Sequence, residues 1–234
     1  MQASGPGTGP GAPGELPVFV ERPTGPVVRD GLRLAAVPAA AGVLAVLTGH
    51  GLVALGLLGL AGGLVAFFRN PERVPAGDEL SAVSPADGRV ISVAEALDGD
   101  GEKRLRIGVY LSLLDVHVTR APVAGRVVAV ERHGGGHHPA FIPDAERVSP
   151  ACAMTLETPR GERVRVVQIT GVLARRIVCH PRVGEWVARG ARYGLIRFGS
   201  RTDVVLPPGA RARVQPGDRV RGGSSVIATL PEAA

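Results

Sequence analysis

Lysine is all but missing from the 234 residues: Lys103 is the only one, and arginine carries the rest of the basic charge. A pyridoxal Schiff base needs a lysine in a desolvated pocket, and a lipoyl or biotin carrier needs one at a hairpin tip. Lys103 lies in the polar stretch Gly99 to Arg104 and suits neither. Cysteine is limited to Cys152 and Cys179, without CxxC spacing, so no zinc site or disulfide framework is indicated. Two buried thiols in a reducing cytosol account for them. Aromatic residues make up 3% of the chain. The net charge is +6 and the pI near 10.5, yet the arginines are scattered singly and base-stacking aromatics are scarce. No nucleic-acid partner is expected, and a diffuse positive face beside anionic lipid explains the charge as well.

The hydrophobic share of 45% is unevenly spread. Residues 1–30 are rich in Gly and Pro without apolar periodicity and read as a disordered tail. From Ala35 to Phe68 the chain is almost wholly apolar, broken at Thr48-Gly49-His50-Gly51, with Arg29 and Arg33 before it and Arg69 and Arg73 after it. One straight helix of that length would run about 50 Å against a hydrocarbon core of about 30 Å. Two halves joined at the Thr-Gly-His-Gly break fit better. Residues 31–70 are therefore expected to form a membrane-associated helical hairpin, both ends cytoplasmic because arginines flank both. A buried soluble hairpin is the alternative, given so much Gly and Ala.

Residues 71–234 change to short Val-rich runs punctuated by Gly and Pro, which predicts a mainly β domain, a sandwich or barrel-like sheet assembly. A long connection is expected near His133 to Ser149. Two internal repeats are visible. Pro85-Ala86-Asp87-Gly88-Arg89-Val90-Ile91-Ser92-Val93 is echoed by Pro122-Val123-Ala124-Gly125-Arg126-Val127-Val128-Ala129-Val130, and Gly184-Glu185-Trp186-Val187-Ala188-Arg189-Gly190 by Gly217-Asp218-Arg219-Val220-Arg221-Gly222-Gly223. The Gly-acid turns of the second pair are similar to the half-motifs of lipoyl and biotinyl carrier folds.

One serine stands out. Gly199-Ser200 lies between the strand-like runs Tyr193 to Phe198 and Val204 to Leu206. This step resembles the processing site of pyruvoyl enzymes, where a serine hydroxyl attacks the preceding carbonyl and glycine leaves the approach open. An ordinary turn explains an isolated Gly-Ser pair equally well.

Several strings carry a wider resemblance: Phe67-Phe68-Arg69-Asn70-Pro71-Glu72-Arg73, Ser84-Pro85-Ala86-Asp87-Gly88, and Val109-Tyr110-Leu111-Ser112 running on through Asp115-Val116-His117-Val118-Thr119-Arg120-Ala121-Pro122. Pro139-Ala140-Phe141 and Ile196-Arg197-Phe198-Gly199-Ser200-Arg201 complete them, in order. Together they resemble the short, pyruvoyl-dependent form of the phosphatidylserine decarboxylase family over nearly the whole chain after Leu32. The resemblance implies autocatalytic cleavage between Gly199 and Ser200, giving a β subunit 1–199 and an α subunit 200–234 that begins with a pyruvoyl group made from Ser200. It implies a Schiff base with the serine amine of phosphatidylserine, loss of CO2 and release of phosphatidylethanolamine at the cytoplasmic face of the cell membrane. The same likeness makes Ser200, His117 and Asp87 the catalytic residues, His117 taking the Ser200 proton and Asp87 holding the imidazole. The longer enzymes carry a second histidine where Arg120 stands, so His117 serves both maturation and catalysis, or only product protonation. Arg201, Arg197 and Arg120 are candidates for the lipid phosphate. The chain's partners are then lipid and its own two subunits, and an oligomer is compatible with the pattern.

Two other functions are weighed. A metal-dependent peptidase could use His117, His133, His137 and His138 with Asp87 and Asp115, but no HExxH pair exists and the last three histidines surround Gly134-Gly135-Gly136, so no metal is expected. A lipoyl-like membrane adaptor would want its lysine inside a Gly-acid repeat, and Lys103 is outside both.

Overall fold

Val, Ile and Leu in short runs between Gly and Pro favour strands closed by tight turns, and the computed structural model, which describes residues 17–22, 24–97, 102–136, 145–171, 176–197 and 200–232, is mainly β. Helices α1 (Arg29–Leu47) and α2 (Gly51–Phe67) come first. There follow β1 (Ser81–Val83), β2 (Gly88–Leu97), β3 (Lys103–Leu111), β4 (Val118–Arg120) and β5 (Gly125–His133). After the single turn α3 (Ala145–Val148) come β6 (Ala151–Glu157), β7 (Arg163–Thr170), β8 (Arg176–Cys179), β9 (Trp186–Val187) and β10 (Arg192–Arg197). The last are β11 (Ser200–Leu206), β12 (Arg211–Ala212), β13 (Arg219–Val220) and β14 (Val226–Thr229).

Eight strands make one curled antiparallel sheet in the order β13-β2-β3-β11-β7-β6-β5-β9, and two three-stranded sheets, β1-β14-β12 and β4-β10-β8, accompany it. Ile107, Val109, Leu156, Val166, Val204 and Ile227 are fully buried in the main core. Each copy of the first repeat pairs with a copy of the second: Gly88 lies opposite Val220 and Arg89 opposite Arg219, just as Gly125 lies opposite Val187 and Arg126 opposite Trp186. The backbone bonds match as well. Val90 donates to Asp218 O and Val127 to Glu185 O, both at 2.9 Å. The Gly-acid turns need φ of +102° at Gly217 and +94° at Gly184, which glycine adopts without strain. The sheet is thus two like halves whose outer edges, β13 and β9, end in turns that meet at Gly190 and Gly223.

The helical pair packs through small residues. Ala35, Gly42, Ala45, Ala54 and Ala61 are buried between the helices, and a Cβ on Gly42 would come within 2.8 Å of Leu58 Cγ. The apolar outer surface is uncovered, with Leu44 62% and Leu52 89% exposed. By length and composition α1, of 19 residues, is sufficient to cross a membrane, whereas α2 has 17. The foot of the hairpin is tied together where Val28 N donates to Phe68 O and Asn70 N to Pro26 O, at 2.9 and 2.7 Å. Residues 1–16 of the expected tail lie outside the described residues. The part that is described runs along the β domain: Phe19 N donates to Trp186 O, and Glu21 pairs with Arg192 at 2.8 Å. Residues 137–144 of the expected long connection also lie outside the described residues, and α3 follows them.

Candidate active site

After β3 ends at Leu111 the chain makes a tight turn in which Ser112 N and Oγ donate to Asp115 Oδ2 at 2.9 and 2.7 Å. His117 follows and leads into β4, which belongs to a different sheet. Its carbonyl accepts from Ile196 N at 3.1 Å, near the end of β10. Beyond β10 the chain returns to the large sheet at Ser200, which lies in register between Leu111 of β3 and Thr170 of β7. His117 thus lies on the chain's passage from the large sheet to the β4-β10-β8 sheet, and Ser200 begins the strand that follows its passage back. Gly199 lies outside the described residues, as does the side chain of Ser200.

His117 is 2% exposed, its ring tilted 33° over Phe67 with centroids 4.3 Å apart. Its Nδ1 is 2.9 Å from the Asp115 carbonyl oxygen. A carbonyl can only accept, so the neutral ring carries its proton on Nδ1 and keeps a lone pair on Nε2. Burial pushes the pKa down to about 4; the Asp115 carbonyl, the Asp115 carboxylate and Asp87 oppose that shift, and Arg69 reinforces it. At neutral pH this is an uncharged imidazole, able to take a proton.

Asp87 sits on the Asp-Gly turn before β2, where Gly88 has φ +151° and a Cβ would run into the Tyr110 carbonyl oxygen. Its Oδ1 accepts from Gly222 N at 2.7 Å and its Oδ2 pairs with Arg73 at 2.9 Å. The carboxylate therefore clamps the link below the hairpin onto the turn that follows β13, while the Nδ1 contact of His117 is made by Asp115 O. Asp87 also borders a cleft of about 660 Å³ at the hairpin foot, together with Gly25, Pro26, Arg69, Asn70 and Val116.

Two of the three arginines considered for lipid phosphate are buried in the framework. Arg120 donates to Gly190 O at 3.1 Å and Pro71 O at 2.6 Å, and burial lowers its pKa to about 10, with Arg192 and Arg73 adding repulsion. It joins the hairpin link to the meeting point of the two repeat turns and stays charged at neutral pH. Arg201 binds Asp203 through Nη2 at 2.9 Å. The Arg197 side chain is outside the described residues. Asp203, fully buried, also binds Arg106 Nε at 2.7 Å, and Arg106 and Arg165 both bind Glu146. Burial works against the charged Glu146, yet Arg165 and Arg106 hold its carboxyl below the usual range. This ionic cluster was missed at the sequence level; its one visible sign is Arg201 and Asp203, spaced two apart in an otherwise core-forming strand. Among the described residues no three His, Cys, Asp or Glu side chains are grouped to hold a metal; His137 and His138 are outside them.

The family model described as phosphatidylserine decarboxylase matches residues 60–228. A phosphatidylserine decarboxylase proenzyme of Nocardia farcinica is 46% identical over 178 residues, 74% of this chain and 75% of the relative. One of Geotalea uraniireducens is 43% identical over 169 residues, 72% and 79% of the two chains. One of Rhodococcus jostii is 45% identical over 181 residues, 75% and 76%.

Proposed function

The chain belongs to the phosphatidylserine decarboxylase family, and from that premise we propose that it converts phosphatidylserine to phosphatidylethanolamine and CO2 after cutting itself between Gly199 and Ser200. In this mechanism the Ser200 hydroxyl attacks the Gly199 carbonyl, exchanging the peptide C–N bond for an ester and freeing the residue 200 amine. β-Elimination returns Gly199 as a carboxylate and leaves a dehydroalanine, whose hydrolysis releases ammonia and yields a pyruvoyl terminus. The pyruvoyl carbonyl supplies an electrophile for the substrate amine and a sink for the electron pair left by CO2.

The observation that supports this reading is the chain path: His117 and Ser200 lie on the two passages between the same pair of sheets, and His117 O is bonded to Ile196 N four residues before Ser200. His117, neutral and protonated on Nδ1, takes the Ser200 hydroxyl proton through the Nε2 lone pair and later returns a proton to the product carbon. Asp87 acts through space, its charge favouring the imidazolium that forms. The fold suits a cut at this position: without the 199–200 bond, β11 would still pair with β3 along Ser200–Leu206 and with β7 from Ser200 to Val205. The new terminus is held by sheet bonds. The hairpin anchors the chain at the cytoplasmic face of the cell membrane, and residues 71–234 form the catalytic domain.

Denaturing electrophoresis with mass spectrometry tests the proposal. Wild-type chain should give a small fragment starting at residue 200 with a blocked amino terminus, and Ser200→Ala should give one uncut band without decarboxylase activity. CO2 release from phosphatidylserine by the Ser200→Ala chain would refute the mechanism.

A further inference from the structure

We infer that the Ser112–Asp115 turn is a second membrane contact, dipping Leu113 and Leu114 into an anionic bilayer beside the hairpin foot; this rests on reading the hairpin as membrane-inserted. Leu114 is 83% exposed and Leu113 48%. Exposed leucines on a loose loop would be unremarkable, since most protein surfaces carry some. Here the turn is braced. Ser112 is bonded twice to the Asp115 carboxylate, and Asp115 N returns a bond to Ser112 O at 3.1 Å, so the two leucines are held outward at its tip.

The turn also adjoins the hairpin. Arg69, just past α2, donates through Nη1 to Ala66 O at 2.9 Å and through Nη2 to Leu114 O at 2.6 Å. The apolar surface of the helices and that of the turn therefore share a boundary, and a bilayer reaching the hairpin foot meets Leu114.

The charges nearby select the lipid. Arg89 and Arg219 are exposed and directly opposite one another on β2 and β13, and Arg219 Nη1 lies 3.8 Å from Asp115 Oδ1. Like charges opposed across strands repel, and an anionic surface over them relieves that repulsion. Two leucines flanked by cations match the interfacial mixture of apolar insertion and headgroup attraction. The turn precedes His117 by two residues and extends from Leu111, the register partner of Ser200, so docking it brings the site to the lipid surface.

Leu114→Trp in the full chain tests this, with wild-type emission as background. Vesicles of phosphatidylcholine containing phosphatidylglycerol, which is not a substrate, should shift the added emission to the blue, and bromine in the acyl chains should quench it. Arg89→Gln with Arg219→Gln should lower the inserted-to-free ratio about tenfold or more on these vesicles and leave it unchanged on phosphatidylcholine alone. Leu113→Trp is an independent probe. Emission that stays at its aqueous position and unquenched while the chain sediments with vesicles overturns the inference, as does failure to sediment. Equal insertion with and without the two arginines overturns the anionic preference. Activity on detergent-solubilised phosphatidylserine separates the two readings: an active chain without insertion refutes only this inference, and an inserted but inactive chain refutes only the decarboxylase proposal.

Discussion

Replacing His117 by Gln should remove a defined portion of the pH dependence of stability. The free imidazole titrates near 6.5 and the buried one near 4. Between those values the unfolded chain binds a proton that the folded chain refuses, so His117's contribution is whole above pH 6.5 and lost as the pH falls towards 4. At about 1.4 kcal/mol per pH unit, the difference over the interval comes to about 3 kcal/mol. Gln does not titrate and keeps an N–H to offer the Asp115 carbonyl. The comparison is best made in a Ser200→Ala background, where cleavage cannot blur the transition. Urea unfolding in mild detergent, followed by the single tryptophan Trp186, would give stability at several pH values from 7 to 4. The stability gap between the two chains should change by about 3 kcal/mol over that range, the His117 chain losing the more. A gap constant to within about 0.5 kcal/mol would mean that His117 is not a buried neutral base, and its proposed role would fall with it.

Asp203→Ala should destabilise the fold by about 3–5 kcal/mol, because Arg106 and Arg201 would keep buried charge without their shared carboxylate; chemical denaturation measures it, and a loss below about 1 kcal/mol would show that the cluster is solvated. Gly88→Ala places a methyl group against the Tyr110 carbonyl at a positive φ, so it should separate β2 from β3 and cost several kcal/mol, about 2 or more. Soluble yield and thermal unfolding report on it, and wild-type behaviour would contradict the close approach.

Much of this architecture is legible in the sequence because it is local. The apolar run, its Thr-Gly-His-Gly break and the two repeat pairs are each visible within a few residues, and the repeats become the pairings β2 with β13 and β5 with β9. What could not be read depends on contacts between distant segments. Glu21 meets Arg192 across 171 positions, and this contact helps draw the expected free tail onto the β domain. The position of β11 between β3 and β7 follows from no local pattern either. As cations Arg120 and Arg201 are candidates for the lipid phosphate by sequence, but exposed arginine is the usual case, and only the surrounding carbonyl and carboxylate oxygens make their burial tolerable. For the candidate site, motif resemblance nominates Ser200, His117 and Asp87, but the partners of Asp87, Arg73 and Gly222 N, required the fold.

The near-duplication of the sheet has a consequence for how chemistry arises on a scaffold. Equivalent positions in the two halves carry Asp87 and Ala124, and the turn that offers Gly222 N to the acid has Arg189 in its counterpart, turned away to Gly77 O and Ser81 O. One frame, written twice, carries a carboxyl group at the turn in one half and a methyl group in the other. The half with Ala124 serves as an internal reference supplied by the chain itself, against which the contribution of a single carboxyl group to a turn of the same backbone pairing can be gauged within one molecule.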